Sequence, residues 1–191
     1  MNMDDKHLIS ILEGITNAKR IYRDKAAEGI LQNPDLMSKL IDKVFDIEDP
    51  LHIKAAWVLE LICLKHITLL DPYIHPFISG MSTLKHESAL RPVSKICSLW
   101  SAYYFSESPS EVLVSKQEKE QIISCNFDWL IEDHKVATQV YAMDTLKLWG
   151  NKVNWVHQEL KSVLQKDADA GSSGYKAHAR KILKNLEKNA L

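Results

Sequence analysis

Glycine and proline are scarce in this chain, with six of each in 191 residues. That scarcity excludes a turn-dense fold and leaves long helices joined by short connections. Cysteine is scarcer still, at three. Cys63, Cys97 and Cys125 make an odd set without close pairing, which argues against a disulfide framework and for reduced thiols in a cytoplasmic protein. An excess of one charge is also missing: 24 Lys and Arg face 25 Asp and Glu, for a net charge of −1. The chain as a whole therefore has no electrostatic pull toward nucleic acid or an anionic membrane, although a local basic patch fits within that total. No apolar run approaches a membrane span, and Asp4 and Asp5 are wrong for the basic start of a secretory signal.

Chemical motifs are absent as well. The eight histidines (7, 52, 66, 75, 86, 134, 157 and 178) are scattered, and there is no Cys-x-x-Cys or His-Glu-x-x-His. No metal site is expected from that spacing. There is no Gly-x-Ser-x-Gly, and no Gly-rich loop follows a strand, because no segment reads as one. The expectation is a protein with no catalytic residues and no cofactor.

What is present is repetition. Five segments read alike: Arg23-Asp-Lys-Ala26-Ala27, Ile53-Lys-Ala55-Ala56-Trp57, Arg91-Pro-Val93-Ser94-Lys95, Val140-Tyr-Ala142-Met143 and Ala177-His-Ala179-Arg180. Small residues recur where two helices must approach closely. With Ala26, Ala55, Val93, Ala142 and Ala179 as equivalents, the spacings are 29, 38, 49 and 37. Units of that length, each one helical hairpin, predict an all-α solenoid of about five hairpins in a single domain over 1–191.

Helix starts are marked. Asn33-Pro34, Asp49-Pro50 and Asp71-Pro72 each place a capping side chain before a proline that needs no N–H partner, and Ser115-Lys-Gln-Glu118 fits a capping box. Ten helices are expected, over 4–13, 18–32, 34–46, 50–66, 72–80, 87–105, 116–131, 134–149, 154–168 and 174–188. Pro76 and Pro92 should kink or delay theirs. Two loops interrupt the series, over 106–114 and 167–174.

Asp49-Pro50-Leu-His-Ile53-Lys54-Ala55-Ala56-Trp-Val-Leu59 resembles the second helix of a HEAT repeat, and Arg23-Asp-Lys25-Ala26-Ala27 is similar. The other three units match less well: Met143 and Arg180 replace a small residue, and the third carries Val93-Ser94. The resemblance covers most of the chain and implies a right-handed α-α superhelix whose second helices line the concave face. As a whole, the chain resembles small HEAT-like bacterial proteins of unknown function, some labelled adenylosuccinate lyases. The lyase family has a chain more than twice as long and a Gly-Ser-Ser-x-Met-Pro-x-Lys loop. Gly171-Ser-Ser-Gly174-Tyr-Lys176 lacks the Met-Pro, so it reads as a turn before a helix.

The repeat register gives candidate groove residues. Glu87, Arg91, Ser94, Lys95, Ser98 and Ser101 make a polar stripe that should face away from the core. Carried through the register, Lys95 is equivalent to Glu28, Trp57, Asp144 and Lys181. One turn later come Glu60, Lys147 and Lys184. Trp57 is the best anchor of this set, or else fills a gap between hairpins. Glu60 stands in an apolar setting, either as an acid with raised pKa or paired with a base on the next repeat. The preferred reading is a non-enzymatic scaffold for a protein or peptide partner. The rival is a HEAT-type DNA-binding or DNA-repair protein acting on a flipped base. The rival needs a continuous basic track, which Glu28, Glu60 and Asp144 interrupt.

Overall fold

The computed structural model describes residues 3–107, 110–166 and 171–188. Among them the regular structure is helical, without a strand. The α-helices are α1 (Met3–Glu13), α2 (Arg20–Leu31), α3 (Leu36–Phe45), α4 (Leu51–Lys65), α5 (Ile74–Gly80), α6 (Glu87–Tyr104), α7 (Lys116–Ile131), α8 (Val136–Trp149), α9 (Asn154–Lys166) and α10 (Ser173–Lys188). Each predicted helix is present. None among the described residues is long and apolar enough to cross a membrane.

Side-chain caps account for the starts of α7 and α4. Ser115 accepts from the Glu118 amide and the Glu118 carboxylate accepts from the Ser115 amide, closing the predicted capping box at α7. Asp49 Oδ1 accepts from the Leu51 amide at 2.9 Å and starts α4. Asn33 behaves otherwise: its side chain donates back to the Gly29 carbonyl of α2, and α3 starts later, at Leu36. Before α5 a 3-10 stretch runs from Ile67 to Tyr73, with Pro72 inside it. Pro76 falls in the first turn of α5, where an amide hydrogen is not needed, and α5 begins at Ile74, two residues later than expected.

Packing divides the chain into two compact units, Met1–Ile96 and Cys97–Leu191, with the division inside α6. In the first unit α1 packs on α3 and α3 on α5, while α2 packs on α4. Hairpin partners α1 and α2, and α3 and α4, also touch. These next-but-one contacts set α1, α3 and α5, the first helices, in one row and the second helices α2 and α4 side by side. Ala26, Ala27, Ala55 and Ala56 are all buried. Without bulk beyond Cβ they let α2 and α4 approach closely. Nine of the fifteen residues of α4 are buried, because α1, α2 and α3 all pack against it.

In the second unit α8 packs on α7, α9 and α10, and α9 packs on α10. An aromatic stack fixes its core. Trp100, Tyr104 and Trp149 stack with centroids 4.9 and 5.7 Å apart, and the Trp149 indole donates to Ser101 Oγ at 2.9 Å. Trp100 is 1% exposed, the core position its apolar neighbours predicted.

The serines of the α6 stripe are a correction. Ser94 and Ser101 are fully buried and Ser98 nearly so; of the stripe's interior only Arg91 and Lys95 reach solvent. Serine reads as polar in sequence, but in a helix its hydroxyl can bond an earlier carbonyl, as Ser94 Oγ does to Arg91 O at 2.9 Å. Its small volume then suits a helix contact.

Candidate binding surface

The second helices of the first unit bring a compact group together. On α4, Trp57 and Glu60 lie one turn apart and share a face. On α6, Ser88, Arg91 and Lys95 repeat at three- and four-residue intervals and meet that face. Glu60 is 3% exposed. Arg91 grips it with both terminal nitrogens, Nη1 to Oε1 at 3.1 Å and Nη2 to Oε2 at 2.8 Å. Lys95 Nζ adds a third bond to Oε1 at 3.0 Å. Two-pronged pairing of this kind is the strongest carboxylate–guanidinium arrangement.

Burial pushes the Glu60 carboxyl up, but the Arg91 hydrogen bonds and charge, joined by Lys95, outweigh it and hold the group below its ordinary range. The paired reading of Glu60 is therefore the right one. The raised-pKa acid is overturned, because two cations from the neighbouring helix stabilise the charged form.

Trp57 is half-buried. Its indole Nε1 donates to the Ser88 carbonyl at 2.8 Å. The α-helical partner of that carbonyl would be the amide of residue 92, which is proline. Pro92 thus leaves Ser88 O open and Trp57 takes it, within an α6 that runs unbroken through the proline. From α2, the Arg23 guanidinium carbon lies over the Trp57 ring, 5.8 Å from its centroid. Arg23 Nε is buried with no hydrogen-bond acceptor. The side chains of Arg23, Trp57, Arg91, Glu60 and Lys95 therefore connect α2, α4 and α6.

The remaining sequence candidates lie apart from this group. Glu28 is exposed on α2 and makes no ion pair among the described residues. In the second unit, Asp144 accepts from His178 Nε2 at 2.9 Å, joining α8 to α10. Lys147 is half-buried on α8, and its carbonyl accepts from His157 Nε2 at 2.8 Å. Lys181 and Lys184 are exposed on α10. None of these three lysines forms an ion pair with Asp144.

Sequence reasoning missed Arg23, Ser88 and His178. Arg23 stood in the first repeated segment, ahead of the two alanines, and was read as part of the repeat alone. Ser88 had a usable signal: a proline inside a helix frees the carbonyl four residues earlier.

The long connections carry less. Residues 108–109 of the first loop and 167–170 of the second lie outside the described residues. Ser172 bears out the turn before α10: its Oγ accepts from the Tyr175 amide at 3.3 Å as the helix begins. Beside the first loop, Tyr104, Phe105, Val112, Leu113 and Trp149 line a pocket of about 780 Å³. Of the other tryptophans, Trp129 is buried, while Trp155 is exposed and stacks on Phe127 at 5.7 Å. No family model matches this chain, and neither a curated protein nor a solved structure does.

Proposed function

We propose that the chain is a non-catalytic, cytoplasmic helical-repeat scaffold of the HEAT-like kind, a right-handed superhelix of about five hairpins. It binds a protein or peptide partner on the surface of its second helices. The observation that carries the reading is the Arg23–Trp57–Glu60–Arg91–Lys95 group, which sets an aromatic ring and three cations across three successive second helices. Glu60 supports a structural rather than a proton-transferring role, since its charged form is the stabilised one. Its two-pronged contact fixes the Arg91 head group, and a pre-ordered head group loses less freedom on binding. Trp57 and Arg91 are also the residue types that dominate binding energy at interfaces.

The test is retention of a partner by the immobilised protein from a lysate of its native host, with an Arg91→Ala, Lys95→Ala double variant run beside it. The expected result is a protein held by wild type, lost by the variant, and bound again by wild type when both are purified. Equal retention by the two proteins would reject this surface.

A further inference from the structure

Charge in the first unit is divided between its two layers. Helices α2 and α4 and residues 87–96 of α6 carry seven Lys and Arg against four Asp and Glu. Helices α1 and α3 carry three against four. The second-helix layer is therefore basic, although the whole chain has a net charge of −1.

Within that layer the cations are not equivalent. Arg91 and Lys95 already hold the buried Glu60. Arg23 has no carboxylate partner among the described residues; its contact is the Trp57 ring, and its Nε lacks an acceptor. A guanidinium has five N–H donors. One held against an aromatic face, with no counter-ion, is a pre-positioned receptor for a carboxylate.

Resting on the peptide-binding reading above, we propose that the partner contributes an acidic segment, one of whose Asp or Glu side chains is taken by Arg23 on the Trp57 ring. Glu60 acts as a positioning residue that keeps Arg91 and Lys95 ordered beside it. A polynucleotide fits this surface less well. Glu60 takes both Arg91 and Lys95, so Arg23 is the one cation of the group without a carboxylate among the described residues, too few for a continuous phosphate track. Arg23 also lies over one face of Trp57, where it would compete with a stacking base.

A random peptide library panned against the intact protein tests this. Asp- and Glu-rich binders are expected. The best of them, made synthetically, should bind Arg23→Gln at least about fivefold more weakly than wild type, the loss of one charge-assisted hydrogen-bonding partner. Arg23→Lys should recover part of that loss because the charge returns. Binding to wild type should weaken as salt rises. Thermal melts of both variants identify any loss that is merely unfolding, and Arg23→Lys then carries the comparison. Neutral or basic binders indifferent to Arg23→Gln would overturn the acidic partner and leave the scaffold reading standing. Failure to enrich any peptide would overturn both. Tighter, Arg23-dependent binding of a single-stranded oligonucleotide would overturn the acidic partner in favour of nucleic acid.

Discussion

Trp57 donates its indole N–H to the Ser88 carbonyl at 2.8 Å, filling the place in the α6 ladder that Pro92 leaves open. The proline's cost to α6 is thus offset by a side chain from α4, which makes the two positions energetically coupled. Trp57→Phe keeps an aromatic ring and removes the donor. It should destabilise the protein by about 1 kcal/mol, the usual worth of one hydrogen bond. In a Pro92→Ala background the amide of residue 92 can bond Ser88 O instead, and the same change should cost roughly half as much or less. Urea unfolding of the four proteins in this double-mutant cycle measures the coupling. A coupling of zero would mean that the indole bond contributes nothing to α6.

How much of this was legible in sequence depended on whether the physics was local. Helix positions follow from periodicity and caps, which act within a few residues, so α7 begins where Ser115 and Glu118 said it would. Glu60 was legible too, because a carboxylate in an apolar helix needs a base within reach and Arg91 and Lys95 lie one repeat later. Trp57 was not: a groove position and a gap between hairpins explain a tryptophan there equally well, and only the approach of α4 to α6 supplies the Ser88 acceptor. The stripe on α6 misled because Ser94 bonds its own helix and so can be buried without another partner. Arg23 escaped notice because its partner is an aromatic face, which no charge pattern reports.

Ala56 is fully buried on α4, in the helix that α1, α2 and α3 all pack against. Ala56→Leu adds three carbons where helices already touch. Overpacking should destabilise by about 1–3 kcal/mol, read as a lower melting temperature. Unchanged melting would place Ala56 away from a close helix contact.

The three thiols are buried and unpaired. Burial pushes Cys63 up to about 12 and Cys97 up to about 11, and it raises Cys125 as well. Thiolate, the reactive form, is therefore scarce near neutral pH, and access is poor besides. A disulfide reagent such as DTNB should titrate almost no thiol in the native protein at about pH 7.5 and all of them in guanidinium. Rapid native labelling would show that the helices around these cysteines open easily.

Gly150 follows α8, and a Cβ built there would lie against the His157 ring, too close to its Cδ2 for both to stay. The imidazole cannot simply turn aside, because its Nε2 is bonded to the Lys147 carbonyl at 2.8 Å. Gly150→Ala should therefore break that bond and shift the start of α9, at roughly 1–3 kcal/mol. Gly150→Ala, His157→Ala should recover part of the loss, because the second change removes the obstructing ring. A single variant as stable as wild type would mean that the α8–α9 connection adjusts freely.

The Glu60 ion pair gives the acid limb of stability a specific source. Folding lowers the carboxyl below its ordinary 4.5, so the native state favours the charged form. The sign is then fixed: this contribution is present in full above about pH 4.5 and is lost as pH falls through the lower native value. Glu60→Gln removes the charge while keeping the shape, leaving Arg91 and Lys95 without their shared anion. Near pH 7 it should destabilise by roughly 1–3 kcal/mol, tempered by the partial exposure of both cations. As pH falls below about 4.5 the unfolded state takes up the proton first, so the gap between the two proteins should narrow toward about pH 3. Asp49, also lowered, through its bonds to the Leu51 amide and Lys43, titrates in both and cancels. Denaturant midpoints of the pair across this range measure the gap directly. A gap that stays constant from about pH 7 to about pH 3 would assign the loss to packing rather than to the charge of Glu60.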